Sequence, residues 1–160
     1  MGTKVLTRLD PLGQSVFPVD PWTVSGSASC SLPPRYESVG GARKFTRDTL
    51  RDWGLEGLFD GVELVVSELV TNALRHAVLA APQLTDDTPP ARLHLMHWSS
   101  RLVCAVRDPS DDSPVAGEAD FGAEGGRGLY LVESFSDSWG WQPLSGAPHG
   151  KIVWALFRVP

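Results

Sequence analysis

Cysteine is scarce in this chain. Its 160 residues include only Cys30 and Cys104, far apart and without the CxxC or Cys/His spacing that a structural zinc site needs. Both fall in apolar, strand-like stretches and read as reduced structural thiols. An excess of positive charge is also missing. Against 19 Asp and Glu stand 14 Lys and Arg, for a net charge of -5, and phosphate-backbone binding needs a clustered basic surface, so nucleic acid is not the expected partner. No apolar run reaches the length of a membrane span. Residues 1–25 contain Lys4 and Arg8, but Asp10, Pro11, Gly13, Pro18 and Asp20 interrupt the apolar core that a signal peptide requires. These absences lead to the expectation of a cytoplasmic protein without a membrane partner.

What is present fits one globular domain: 42% hydrophobic and 21% charged residues in a chain long enough to bury a sizeable core. Residues 1–26, with Pro11, Pro18, Pro21 and the run Ser25-Gly26-Ser27, read as a flexible N-terminal arm, and 27–160 as the domain. A short strand is expected at Ala28 to Leu32, ended by Pro33-Pro34. A helix follows from Ser38 to Trp53, with Val39, Ala42, Thr46, Thr49 and Trp53 as its buried stripe and Gly54 as its stop. Arg43, Lys44, Arg47 and Arg51 fall on the other side and read as a solvated face. A second helix spans Leu58 to Leu79. Two alternating runs, Arg92 to Trp98 and Arg101 to Arg107, read as an antiparallel hairpin.

Asp108 to Gly126 has no periodicity and reads as a long loop, of a length that is usually functional or disordered, with Asp108 to Gly125 expected to become ordered when nucleotide binds. A short helix from Gly128 to Phe135, a strand at Ser138 to Gln142 and a last strand from Lys151 to Val159 complete the chain. Ile152, Trp154 and Leu156 alternate with Val153, Ala155, Phe157 and Val159, so both faces of the last strand are apolar and its place is central or covered. The order of elements predicts an α/β fold, a two-layer sandwich with helices on one face of a mostly antiparallel mixed sheet.

The second helix carries the chemistry. Its segment Glu63 to Val78 reads ELVVSELVTNALRHAV. Val62, Val66, Leu69, Val70, Ala73, Leu74 and Ala77 form an apolar arc, and Glu68, Thr71, Asn72, Arg75 and His76 lie opposite. A merely solvated arc would be filled with better helix formers, because Thr and Asn each weaken a helix interior by about half a kcal/mol relative to Ala. Glu68 and Asn72, four apart, present a carboxylate and an amide oxygen to one point. The amide oxygen is a hard ligand suited to Mg²⁺, and the carboxylate can orient or deprotonate a hydroxyl. EGGRGLYLV, residues 124–132, adds glycines and free N–H groups at a helix start, a place for phosphate oxygens. Asp108, at the end of a strand, can accept a hydrogen bond from an amino group such as a purine's, or simply form a turn.

The succession SELVTNALRH, VRDPS, GGRGLYLV, HGKIVWALF resembles the Bergerat-fold ATP-binding domain of the GHKL superfamily, which includes gyrase, heat-shock chaperones, histidine kinases and mismatch-repair ATPases. It is most similar to the stand-alone anti-sigma-factor serine/threonine kinases of actinobacteria. The resemblance runs from Cys30 to Pro160. It implies ATP and Mg²⁺ as cofactors, Glu68 as general base, Asn72 as the Mg²⁺ ligand, Arg75 and His76 at the phosphate end, and Asp108 on the adenine amino group. Gly126, Arg127, Gly128 and Leu129 match the glycine box that closes on the triphosphate. Two departures stand out. Asp108-Pro109-Ser110-Asp111-Asp112 lacks both glycines of the usual DxGxG, and Gly150-Lys151 replaces the usual Gly-Thr. The acidic loop and these changes point to modest nucleotide affinity.

The resemblance implies a serine/threonine protein kinase acting on a small antagonist protein and sequestering a sigma factor, with room for a homodimer. The alternative is a non-catalytic module that uses ATP as a conformational ligand in regulating transcription. A histidine kinase or a DNA-processing ATPase is disfavoured, since the sequence offers neither a phospho-acceptor helical domain nor a second domain to use the energy.

Overall fold

A computed structural model describes residues 25–80, 91–98, 100–110, 124–144 and 150–160, with side chains at 78–80 and 124–128 left aside. Five strands and three α-helices build an α/β sandwich. The strands are β1 (Gly26–Leu32), β2 (Ala91–Trp98), β3 (Arg101–Asp108), β4 (Ser138–Pro143) and β5 (Lys151–Arg158), in the sheet order β1-β2-β3-β5-β4. Every described pairing is antiparallel. The helices are α1 (Glu37–Asp52), α2 (Phe59–Ala80) and α3 (Glu124–Phe135), with a single 3-10 turn at Glu56–Leu58 leading into α2.

The sandwich arises because both element types carry one apolar face. Val62, Val66, Leu69, Val70, Ala73, Leu74 and Ala77 of α2 are all buried, and so is Val65, which widens the expected arc. They meet Leu93 and Leu95 of β2, Leu102, Cys104 and Val106 of β3, and Val153, Ala155 and Phe157 of β5 in one core. As expected, β5 is central, between β3 and β4. Helix α1 buries Ser38, Ala42, Thr46, Thr49 and Leu50, while the expected Val39 and Trp53 pack at the core's margin. Leu50 was not in the expected stripe, yet it lies one turn beyond Thr46 and widens the buried face. Gly54, at φ 72°, ends α1 as expected.

The basic run on α1 is more than a solvated face. Arg43 Nε lies 2.7 Å from Glu63 Oε2, and the Arg47 guanidinium sits 5.2 Å above the Phe59 ring, so both clamp α1 onto α2. Lys44 and Arg51 pair with Asp48 at 2.9 and 3.5 Å along their own helix, contacts that contribute only tenths of a kcal/mol. Both cysteines are free thiols in strands, as expected. Burial pushes the Cys104 thiol up to about 12 and raises that of Cys30, which leaves both poor nucleophiles.

Helix α3 begins at Glu124, four residues before the expected Gly128. Gly125, Gly126 and Gly128 therefore lie within its first turns rather than in a turn preceding it. Glycine weakens a helix interior by roughly 1 kcal/mol but does not forbid it, and packing of α3 on α2 and β4 outweighs that preference. Residues 1–24 of the expected N-terminal arm, most of the long loop after Asp108 and the loop before Ala91 lie outside the described residues, while Gly26, expected in the arm, already belongs to β1. No described helix is long and apolar enough to cross a membrane.

Candidate nucleotide site

Glu68, Asn72 and His76 follow one another at intervals of four residues, so they stack one per turn along α2, separated by about 6 Å of helix rise each. None of the three is fully exposed, and Thr71 and Arg75 beside them are likewise half-buried. That partial burial sets this arc apart from an ordinary solvated helix face. Arg75 makes no ion pair among the described residues, which leaves its guanidinium available to an anion.

The line ends on Asp108. His76 Nδ1 lies 2.9 Å from both carboxylate oxygens of Asp108. Since a carboxylate accepts, Nδ1 carries the hydrogen and Nε2 is the ring atom left for other contacts. Asp108 is only 2% exposed. The backbone N–H of Ser110 donates to its Oδ1 at 2.8 Å, which explains why a carboxylate at the strand end turns the chain as well as facing inward.

Lys151 completes the cluster. It is directly opposite Asp108 in the β3–β5 register and just 1% exposed. Its Nζ lies 3.4 Å from Asp108 Oδ2 and donates to the Ser110 carbonyl at 3.1 Å. A lysine buried this deeply needs a negative partner, because an unpaired buried ammonium is costly. Sequence reasoning treated Lys151 only as the loss of a threonine hydroxyl. The signal that reveals its role is alternation: Lys151 shares the inward parity of Val153, Ala155 and Phe157, so it must enter the core and find a carboxylate.

Gly150 holds this arrangement together. Its φ is +135°, and a Cβ there would lie 2.6 Å from the Asp108 carbonyl oxygen. Only glycine lets β5 start this close to the end of β3.

The structure thus gathers His76 and Asp108 from the expected set, adds Lys151, and aligns Glu68 and Asn72 with them on α2. Gly126, Arg127 and Gly128 occupy the N-terminal turns of α3, which packs on α2. Leu129 follows with its side chain buried, 4% exposed, so any contact it makes with a ligand would be through its backbone. The donor set suits a Mg-nucleotide. Asn72 supplies a hard oxygen. Asp108 already receives His76 on both oxygens, Ser110 N–H on Oδ1 and Lys151 beside Oδ2, so a further N–H must share or displace one of these contacts.

An antiparallel sheet with a line of polar groups on α2, ending on a strand-end carboxylate, makes up this α/β sandwich. The model of the histidine kinase-like ATPase domain family matches residues 32–157, and the chain belongs to that family, of the ATP-binding GHKL type. Among curated proteins no match was found.

Proposed function

We propose that this chain is a Mg-ATP-binding regulatory protein and acts as a serine/threonine protein kinase of the anti-sigma-factor type on a small antagonist protein. The observation that carries the reading is the contact of His76 with Asp108. It joins the Glu68–Asn72–His76 line to the strand-end carboxylate, and so orders the groups as a nucleotide would need them, base end at Asp108 and phosphate end at Glu68; His76, expected at the phosphate end, stands instead at the base end, because its ring is held by Asp108. Asp108 and Lys151 lie side by side as acceptor and donor, the complement of adenine's 6-amino group and N1. Asn72 would hold Mg²⁺ through its amide oxygen, with phosphate oxygens supplying further ligands. When bound, the ion neutralises charge on the phosphates. Arg75 and the N–H groups at the start of α3 would receive phosphate oxygens.

In the proposed transfer, Glu68 orients a serine or threonine hydroxyl of the partner and takes its proton. The hydroxyl oxygen bonds to the γ-phosphorus as the bond to the bridging oxygen breaks and ADP leaves. Positioning and proton removal are most of what a protein contributes to such a step. Loss of a general base costs ~10²–10⁴ in rate, whereas a carboxylate beside a triphosphate adds repulsion. Glu68→Gln should therefore abolish transfer of label from ATP to the partner while ATP binds equally well or more tightly. Transfer at the wild-type rate would remove Glu68 from the role of base.

A second reading, an ATP-dependent protein-binding module without transfer, draws on the same His76–Asp108 contact. A purine amino group arriving at Asp108 must share or displace that contact, so binding alone moves a residue of α2. Wild-type protein that binds ATP and its partner but transfers nothing would favour this reading.

A further inference from the structure

The face of the sheet turned away from the helices carries charge of one sign. Leu93, Leu102, Val106 and Phe157 belong to the core under the helices, so alternation turns their neighbours Arg92, Arg101, Arg107 and Arg158 to the other side. No outward position of the five strands holds Asp or Glu. In a chain of net charge -5, acidic groups are not scarce; they are missing from this face.

Two of these arginines stand directly opposite each other, since Arg92 pairs with Arg107 in the β2–β3 register. Like charges so placed, with Cβ atoms about 4.5–5.5 Å apart, repel and destabilise the strand pair. Neither guanidinium meets a carboxylate among the described residues, and burial lowers the pKa of Arg107. Arg92 turns instead toward the edge strand β1. Its Nη1 donates to Ser31 Oγ at 2.6 Å and its Nη2 to Ser29 Oγ at 3.0 Å. Each serine oxygen accepts from the guanidinium, so each hydroxyl hydrogen is left to donate elsewhere, and both serines are exposed. Burial, then the charges of Arg92 and Arg107, bring the pKa of His94 to about 4. His94 is opposite Ser29, so the fields of both arginines overlap beside the two serines.

We propose that Ser29, Ser31, Arg92 and Arg107 form an oxyanion site for a phosphate group, on the opposite side of the sheet from the candidate nucleotide site and independent of it. Both arginines can only donate, and both hydroxyls have a hydrogen to give. Two guanidiniums match the double negative charge of inorganic phosphate or of a phosphate monoester, whereas one fork suffices for a carboxylate. Two hydroxyls and two guanidiniums also offer donors to more than one oxygen of a tetrahedral anion. Bound phosphate would relieve the repulsion between Arg92 and Arg107, which links binding to stability.

The test follows backbone amide and arginine Nε–H signals of the full chain by NMR at neutral pH and constant ionic strength. Inorganic phosphate, phosphoserine with blocked termini, and acetate are titrated separately. The proposal expects saturable shifts at Ser29, Ser31 and Arg92 with at least one of the two phosphates, and binding weaker by about tenfold or more in Arg92→Gln. The tighter of the two identifies the free ion or the monoester as the ligand. No saturation with either, equal shifts with acetate, shifts confined to α2, or unchanged binding by Arg92→Gln would overturn it. Arg107→Gln gives an independent reading. Without phosphate its urea midpoint should equal or exceed that of the wild type, because the repulsion is gone, and phosphate should raise the wild-type midpoint more than the variant's. Equal gains from phosphate in the two proteins would count against the site.

Discussion

Lys151 and Asp108 show how much one buried pair decides. Neither is stable inside the core alone, and together with His76 and Ser110 they fix the strand-end carboxylate toward α2. Breaking a buried pair by removing one partner typically costs about 3–5 kcal/mol. Lys151→Met should lower the urea midpoint accordingly and weaken ATP binding, measured by calorimetry, since the remaining carboxylate is left without its counter-charge. An unchanged midpoint would mean that the ammonium does not compensate Asp108. At the neighbouring position, Gly150→Ala would drive a methyl into the Asp108 carbonyl at 2.6 Å and hold a non-glycine residue at φ +135°. A loss of on the order of 1–3 kcal/mol is expected from the backbone conformation alone, with reduced ATP affinity because the end of β3 must move.

Helix α2 was legible in the sequence for a physical reason. Its apolar positions recur at the helical period and its polar arc carries residues that a solvated face would not select. The same periodicity marks Glu68, Asn72 and His76, which stand on one line of α2. Where sequence reading fell short, it followed one strong local signal past a competing one. The glycines of EGGRG suggested a turn, yet α3 starts at Glu124 because packing on α2 and β4 exceeds the intrinsic cost of glycine. Lys151 was read against a motif rather than against the alternation of its own strand. The conflict between propensity and site makes a prediction at this scale. Asn72→Ala should raise the stability of the nucleotide-free protein by about half a kcal/mol, read as a small increase in melting temperature, while Mg-dependent ATP binding falls. A loss of stability would show that Asn72 serves the helix rather than the site.

Across the whole molecule, the sheet divides two environments. Its inner face carries the helices and the candidate nucleotide site, and its outer face a second apolar cluster of Trp98, Val103, Ala105, Ile152 and Trp154, with His94 on the same side of β2 by strand alternation. The β2–β3 hairpin and the central place of β5 followed from hairpin spacing and from apolar residues on both faces of Lys151–Arg158, whereas the order of the remaining strands was not legible. His94 reports on the outer face. Burial, reinforced by Arg92 and Arg107, lowers its pKa from 6.5 to about 4. The unfolded chain therefore binds a proton that the folded one refuses, and stability falls as pH drops from about 6.5 toward about 4. Partial exposure discounts the effect to on the order of 2 kcal/mol. Melting curves for wild type and His94→Gln over this range should diverge from each other, with the variant less sensitive to acid; parallel curves would show that His94 titrates normally.

The central claim is that the line from Glu68 through Asn72 to Asp108 is a Mg-ATP site, and calorimetric titration of ATP into wild type and Asn72→Ala, each with Mg²⁺ and with EDTA, tests it most directly. Because Asn72 is proposed to act through the ion, the account predicts binding by the wild type in Mg²⁺, at least tenfold weaker binding by the variant in Mg²⁺, and no difference between the two in EDTA. No heat from the wild type at millimolar ATP in either condition, or a variant that matches the wild type in Mg²⁺, would contradict it.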